Sequence, residues 1–272
     1  MKKIKVGIVG CGAIGSSLSR AIFKDFSGKA ELAALYDLDS LKSEALAKKL
    51  KRRHLALRSL ESLIKRSDLV IEAASANASF KIAKMVLSDG KSVMIMSVGG
   101  IVNGFKALSR LAARNNCRIY IPSGAISGID ALKAANIGKI RKVTLTTTKN
   151  PSGFKGVKYV QDKGIDLNRI KGEKVLFCGK AKDAVRYFPQ NINVAAVLSL
   201  SGIGIANTKV RIIASPKALR NIHEIKIESA AGDISTRTEN ILHPDNPKTS
   251  YLAVLSAVAT LKRILEPVVI GT

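Results

Sequence analysis

Apolar positions in the first half of the chain come in short runs separated by amphipathic stretches. Ile4-Lys5-Val6-Gly7-Ile8-Val9 is apolar and rich in β-branched residues, the composition of a buried strand. Three glycines follow, Gly10, Gly12 and Gly15, and Ser16–Phe26 then reads as an amphipathic helix. A second apolar run, Leu32-Ala33-Ala34-Leu35-Tyr36, ends in Asp37. The alternation continues. Ser40 is placed to cap a helix to about Lys49, and a short strand is expected at His54–Leu57. A helix over about Ser59–Lys65 leads to the strand Asp68–Glu72, which exits through Ala73-Ala74-Ser75-Ala76-Asn77. Helix Ala78–Leu87, strand Ser92–Met96, helix Phe105–Asn115 and strand Arg118–Ile121 complete the series. Such a sequence of elements predicts an α/β fold with a Rossmann-type doubly wound parallel sheet.

The loop Pro122-Ser123-Gly124-Ala125-Ile126-Ser127-Gly128 breaks the pattern before a helix at Ile129–Asn136. Beyond it the order of elements changes. Ile140–Thr148 alternates as a strand, and Asn150–Lys171 is polar and glycine-rich, a loop or hairpin. A strand at Val175–Cys178, a helix at Ala181–Tyr187 and an apolar helix from Asn193 to about Ile203 follow. Strands are expected at Lys209–Ala214, Ile222–Ser229 and Ile234–Ile241, and a helix from Lys248 to about Leu265. This predicts a second α/β domain with a mixed sheet. The expected division is 1–122 for the first domain, 123–247 for the second, and 248–272 for a C-terminal helix packing back on the first.

The opening elements have chemical content. Gly10, Gly12 and Gly15 are spaced G-x-G-x-x-G between a strand and a helix, and Asp37 lies 22 residues beyond Gly15 at the end of the next strand. That is the dinucleotide fingerprint in its expected context. The turn from Gly10 through Ala13, Ile14 and Gly15 brings backbone N–H groups at a helix N-terminus to a pyrophosphate. Asp37 is placed to accept from a ribose diol and to repel the extra phosphate of NADP, with Lys42 near enough to blur that preference. Ser75, in the small-residue exit of its strand, suits the edge of a nucleotide crevice. The 122–128 loop is either an ordinary turn between domains or a source of backbone donors, Ala125 among them, for a nicotinamide carboxamide.

Composition narrows the class. With 46% hydrophobic residues the chain is no disordered polyelectrolyte, yet 45 Lys and Arg stand against 20 Asp and Glu, a net charge of +25. The excess is even along the chain: 22 basic and 9 acidic residues up to position 120, and 23 and 11 after it. With no basic tail, the field suits anionic small molecules better than nucleic acid, which is not expected as a partner. Cys11, Cys117 and Cys178 share no metal or redox spacing and fit a reducing cytosol, so the expected location is the cytoplasm. No metal site is expected. Met1-Lys2-Lys3 before an apolar run resembles a signal peptide only superficially, and no apolar stretch is long enough to span a bilayer. Base rates for symmetric enzymes favour a homodimer.

Three histidines are present. His54 follows a basic cluster and reads as a surface residue; His243 opens the proline-bracketed loop His243-Pro244-Asp245-Asn246-Pro247, where a turn role is expected over catalysis. In Ile222-His223-Glu224-Ile225-Lys226-Ile227-Glu228 the strand period puts His223, Ile225 and Ile227 on one face. His223 is thus either a satisfied core residue or a group lining a cleft. Lys248, Thr249 and Ser250, at the expected helix start, are either a carboxylate site or simple caps. Asn193 either caps its helix or offers its amide to a ligand.

Four motifs, in this order, give the chain a family likeness: Ile121-Pro122-Ser123-Gly124-Ala125-Ile126-Ser127-Gly128, Asn191-Ile192-Asn193-Val194-Ala195-Ala196, Arg220-Asn221-Ile222-His223-Glu224-Ile225 and Asn246-Pro247-Lys248-Thr249-Ser250-Tyr251. With the glycine fingerprint they resemble the L-aspartate dehydrogenases over nearly the whole length. The resemblance implies NAD- or NADP-dependent oxidation of L-aspartate to iminoaspartate, which hydrolyses to oxaloacetate and ammonia or feeds quinolinate formation in NAD biosynthesis. It implies a catalytic histidine at His223 and cofactor contacts at Ala125 and Asn193, with the dicarboxylate amino acid as substrate. Dihydrodipicolinate reductase and homoserine dehydrogenase share the architecture. The former carries a His-His pair that is absent here, and the latter a catalytic lysine in another context. A non-catalytic NAD(P)-sensing protein would have no need of His223 on an inward face.

Overall fold

The computed structural model describes residues 2–188, 192–244 and 246–272, with the backbone alone for residues 192 and 246–248. The chain forms two compact units, Met1–Pro122 with Val254–Val269, and Ser123–Ala253 with Ile270–Thr272.

In the first unit the elements are β1 (Ile4–Val9), α1 (Ala13–Lys24), β2 (Ala30–Tyr36), α2 (Ser40–Lys49), α3 (Leu60–Arg66), β3 (Leu69–Glu72), α4 (Ala76–Ser88), β4 (Ser92–Ile95), α5 (Phe105–Arg114) and β5 (Ile119–Tyr120). All five strands are parallel in the order β2-β1-β3-β4-β5. β3 is buried throughout, as a strand covered on both faces must be. The strand order reverses between β1 and β3, the switch point where ligands of open α/β sheets bind at the carboxyl ends of the strands. Two expectations change. The residues after α2 form a short 3-10 turn, Arg53–Leu55, with a single bridge from Leu35 to Ala56 instead of the strand expected at His54–Leu57. Three residues in that turn leave no run of extended backbone to pair. Asp39, not Ser40, caps α2, its carboxylate accepting from Leu41 N at 3.2 Å.

The second unit holds α6 (Ile129–Ala135), β6 (Ile140–Lys149), α7 (Lys158–Asp162), β7 (Lys174–Lys180), α8 (Ala181–Tyr187), α9 (Ile192–Ser201), β8 (Lys209–Ala214), β9 (Asn221–Ser229), β10 (Gly232–Asn240), β11 (Leu242–His243), β12 (Asn246–Ser250) and the start of α10 (Tyr251–Leu265). Its sheet runs β10-β9-β6-β8-β7, with β6 and β8 parallel and the other pairs antiparallel. Val143, Leu145, Ile225 and Ile227 form its buried face, and Lys226 with the half-buried Glu224, Glu228, Thr144 and Thr146 forms the other. The 150–171 stretch winds into short helical turns, Pro151–Phe154, α7 and Leu167–Arg169, anchored by Phe154 and Val160. Phe154, Tyr159, Phe177 and Phe188 stack edge-on or tilted, with ring centroids 5.1–6.4 Å apart.

Lys248-Thr249-Ser250 does not start a helix. These residues close an antiparallel hairpin with β11, Leu242 pairing with Ser250, and Tyr251 N donates to Ile241 O at 2.8 Å. A polar Lys-Thr-Ser before an apolar periodic stretch ends a strand as readily as it caps a helix, and the hairpin takes these residues into its ladder. α10 starts three residues later, and Ala257, Leu261 and Leu265 are buried in the core of the first unit with Ile8, Leu18, Leu35 and Met94.

Candidate active site

At the carboxyl ends of β1 and β3 the first unit opens a cleft of about 800 Å³ lined by Gly10, Gly12, Asp37, Ala74 and Ser75 among others. Each glycine has its own reason. Gly10 adopts φ +95°, and a Cβ there would stand 2.4 Å from Ala73 O. At Gly15 a Cβ would lie 1.9 Å from Gly10 O, so only glycine lets α1 approach the turn. Gly12 has open space where its Cβ would be. It is also the N-cap of α1, and no side chain caps that helix, so the first-turn N–H groups remain available to an anion. A bare cradle with uncapped helix donors fits a pyrophosphate. Ala13 and Ile14 open α1 and are half-buried.

Asp37 stands at the mouth of β2. Its Oδ2 accepts from Cys11 N at 2.7 Å and its Oδ1 from Asp39 N at 3.0 Å, which fixes the carboxylate while leaving lone pairs on both oxygens. Lys42, ion-paired to Asp39 at 3.5 Å, and Arg58 line the same cleft. The Cys11 thiol is pushed up to about 12, by burial and then by the charge of Asp37, so it stays protonated and unreactive. Ser75 is exposed at the N-cap of α4. Behind these loops lies Glu72, which no sequence motif singles out. Fully buried at the end of β3, it accepts from Ala74 N (2.9 Å), Ser79 Oγ (2.8 Å) and Ser97 N (3.0 Å). Burial holds its pKa above the ordinary carboxylate value in spite of those donors. An acid closing an otherwise apolar strand was the available signal.

In the second unit β6, β9 and β10 bring Thr147, His223 and Thr238 into one cross-strand row. His223 is 5% exposed, and its Nδ1 lies 3.0 Å from Thr147 Oγ1. Burial, and then the positive charge of Lys149, pull its pKa down to about 3, so the imidazole is neutral at physiological pH. Lys149 is itself pulled down to about 8 by burial. Ala125 sits beside this row: its carbonyl accepts from Asn240 Nδ2 at 3.0 Å and Thr238 Oγ1 at 3.2 Å. The 122–128 loop is thereby tied to β10. Asn193 is exposed in the first turn of α9, inside the helix and not at its cap. Thr249 is half-buried and Ser250 buried in β12, while the side chain of Lys248 lies outside the described residues. His54 is exposed; His243 is buried, its ring 5.6 Å from that of Tyr251. Among the described residues no cluster of His, Cys, Asp and Glu could hold a metal, and no helix is long and apolar enough to cross a membrane.

Residues 130–264 match the family described as aspartate dehydrogenase, C-terminal, and residues 10–122 the homoserine dehydrogenase NAD-binding domain. The L-aspartate dehydrogenase of Methanosarcina barkeri is 49% identical over 271 residues, covering 99% of this chain and all of its relative. The chain belongs to the L-aspartate dehydrogenase family. The Methanococcoides burtonii member of the family is 45% identical over 99% of this chain and the whole of its own. The crystal structure of aspartate dehydrogenase from Thermotoga maritima superposes with a TM-score of 0.72 at 25% identity, covering 99% and 100% of the two chains. As a member of this family the chain is an oxidoreductase that uses NAD or NADP. The match to the homoserine dehydrogenase family description lies within the NAD-binding half, residues 10–122.

Proposed function

We propose that the protein oxidises L-aspartate to iminoaspartate, which then yields oxaloacetate and ammonia or feeds quinolinate and NAD formation. The observation that carries the reading is a buried, neutral His223 held by Thr147 inside the half that matches the aspartate dehydrogenase C-terminal family. The bound dinucleotide supplies the hydride acceptor for the substrate Cα–H. The turn from Gly10 to Gly15, Ala13 and Ile14 included, holds its pyrophosphate; Asp37 accepts from the adenosine ribose and favours NAD; Ser75, Ala125 and Asn193 complete the cofactor contacts.

An ammonium must lose a proton before its carbon gives up hydride. His223 in its neutral form is the acceptor, and the same ring activates water when the imine is hydrolysed. Thr147 fixes the orientation of the imidazole at Nδ1, which leaves Nε2 for the substrate. Thr249 and Ser250 stand in β12, so no helix N-terminus supports them as a carboxylate seat. The enzyme works as a homodimer in the cytoplasm, in keeping with the commonest symmetry of soluble enzymes.

The test follows reduced-cofactor absorbance on adding L-aspartate with NAD or NADP at alkaline pH, in wild type and His223→Gln. We expect turnover in the wild type, faster with NAD. In the variant kcat falls about a hundredfold or more, while the Kd for NADH is unchanged. Absence of turnover with both cofactors, in both directions, would sink the assignment.

A further inference from the structure

The sheet face that carries His223 holds two further polar groups, Lys149 and Asn240. In β6 Thr147 pairs with His223, so Lys149, two residues further along the same strand, belongs to the same face. Its stem lies beside Gly153, where a Cβ would meet Lys149 Cβ and Cδ in ordinary contact at 3.7 Å. Lys149 is close enough to His223 for its charge to act on the ring. In β10 Asn240 pairs with Asn221, two residues before His223, and is only 3% exposed. Its Nδ2 donates to Ala125 O (3.0 Å) and Asn221 O (3.4 Å), which turns Oδ1 away from both. Among the described residues that buried oxygen has no hydrogen-bond partner.

An unpartnered buried acceptor is unfavourable in isolation. A ligand with an N–H donor relieves it, and an anionic group on the same ligand is attracted by the lysine charge that already acts on the imidazole. An amino acid brings the two together on one small molecule. Neither Lys149 nor Asn240 belongs to a recognisable motif, and strand register alone places them beside His223.

We propose that Lys149 is the cation that receives a carboxylate of the substrate on the His223 face, with Asn240 Oδ1 turned to the substrate amino group. The identity of that substrate as L-aspartate rests on the function proposed above. When a carboxylate lands on Lys149 it offsets the positive charge that suppresses proton uptake by His223. The ring therefore becomes a better base when the site is filled.

The test compares Lys149→Gln and Lys149→Arg with the wild-type holoenzyme, and Lys149→Met is the second neutral variant should the glutamine fail to fold. In the neutral variants the KM for L-aspartate rises roughly ten- to a hundredfold, with kcat changing much less and the Kd for NADH unaltered. Arginine, which keeps the charge, recovers most of the KM. A KM within about twofold of wild type in a folded neutral variant overturns the proposal.

A second readout needs no turnover. Succinate is titrated while the ring C–H resonances of His223 are followed by NMR; a saturable shift is expected in wild type and its loss in the neutral variants. Lys149-dependent succinate binding in a protein that does not oxidise aspartate keeps the carboxylate seat and removes the assigned function. Turnover of aspartate with KM and succinate shift intact in the neutral variants does the reverse. A wild type that neither turns over aspartate nor binds succinate overturns both.

Discussion

His223 is buried between Thr147 and Thr238, and that setting governs how the protein responds to acid. Its folded pKa of about 3 lies below the ordinary value of 6.5, so above 6.5 the ring is neutral in both folded and unfolded chains and contributes nothing to pH dependence. As pH falls through 6.5 toward 3 the unfolded chain takes up a proton that the folded one refuses. Stability is lost in that window at about 1.4 kcal/mol per pH unit from this residue. Between neutrality and a pH near 5 the wild type should therefore lose about 2 kcal/mol more than His223→Gln, which keeps a polar group for Thr147 but does not titrate. Urea unfolding of both proteins at the two pH values measures the difference. Parallel losses would mean that the ring is protonated in the folded protein. Lys149, on the same face, is the source of part of this behaviour, and two residues separated by some seventy positions act on one another only because β6 and β9 pair.

At the scale of elements, the cofactor half depends on how two strand ends are held. Glu72 closes β3 and gathers the backbone of Ala74 on its own exit loop with that of Ser97 after β4. Glu72→Ala strips an acceptor from three donors and should cost about 3 kcal/mol or more of stability. Glu72→Gln keeps one oxygen but turns an NH2 toward an N–H, and should weaken NADH binding about tenfold, read by fluorescence titration. Wild-type affinity and stability in Glu72→Gln would show that the loops hold their shape without the carboxylate. The elements around this clamp were legible in the sequence because their signals are local. A β-branched run, a glycine turn, an amphipathic helix and a second run ending in Asp37 need no distant partner to be recognised. Signals that depend on partners were read less well. Lys248-Thr249-Ser250 has the composition of a helix start, and pairing with Leu242 makes it a strand. The 150–171 turns are held by single buried side chains such as Phe154 and Val160, too few for a period. His223 was visible from strand alternation, whereas Lys149 and Asn240 join it only through the register of three strands.

At the scale of the molecule, the unit with the dinucleotide cradle is completed from the far end of the chain. Val254–Val269 belongs to it, and Leu261 is fully buried among residues of α1, β1 and β2. A cavity at Leu261 should therefore destabilise the unit that carries the cradle although the residue lies some 250 positions from Gly10. Leu261→Ala is expected to lower the stability of the first unit by about 3 kcal/mol, the range of fully buried leucines. NADH binds the folded unit only, so at about a hundredfold its Kd it returns about 2.7 kcal/mol, and the variant with NADH should unfold close to the wild type without it. Because two units need not unfold together, the midpoint is followed through the fluorescence of bound NADH for the loaded protein and through tyrosine fluorescence, including Tyr36 and Tyr120 of this unit, for the free one. A drop in stability with no recovery on adding NADH would mean that the loss of Leu261 reaches the cradle itself. An unchanged midpoint would separate α10 from the core in which Ala257, Leu261 and Leu265 are buried.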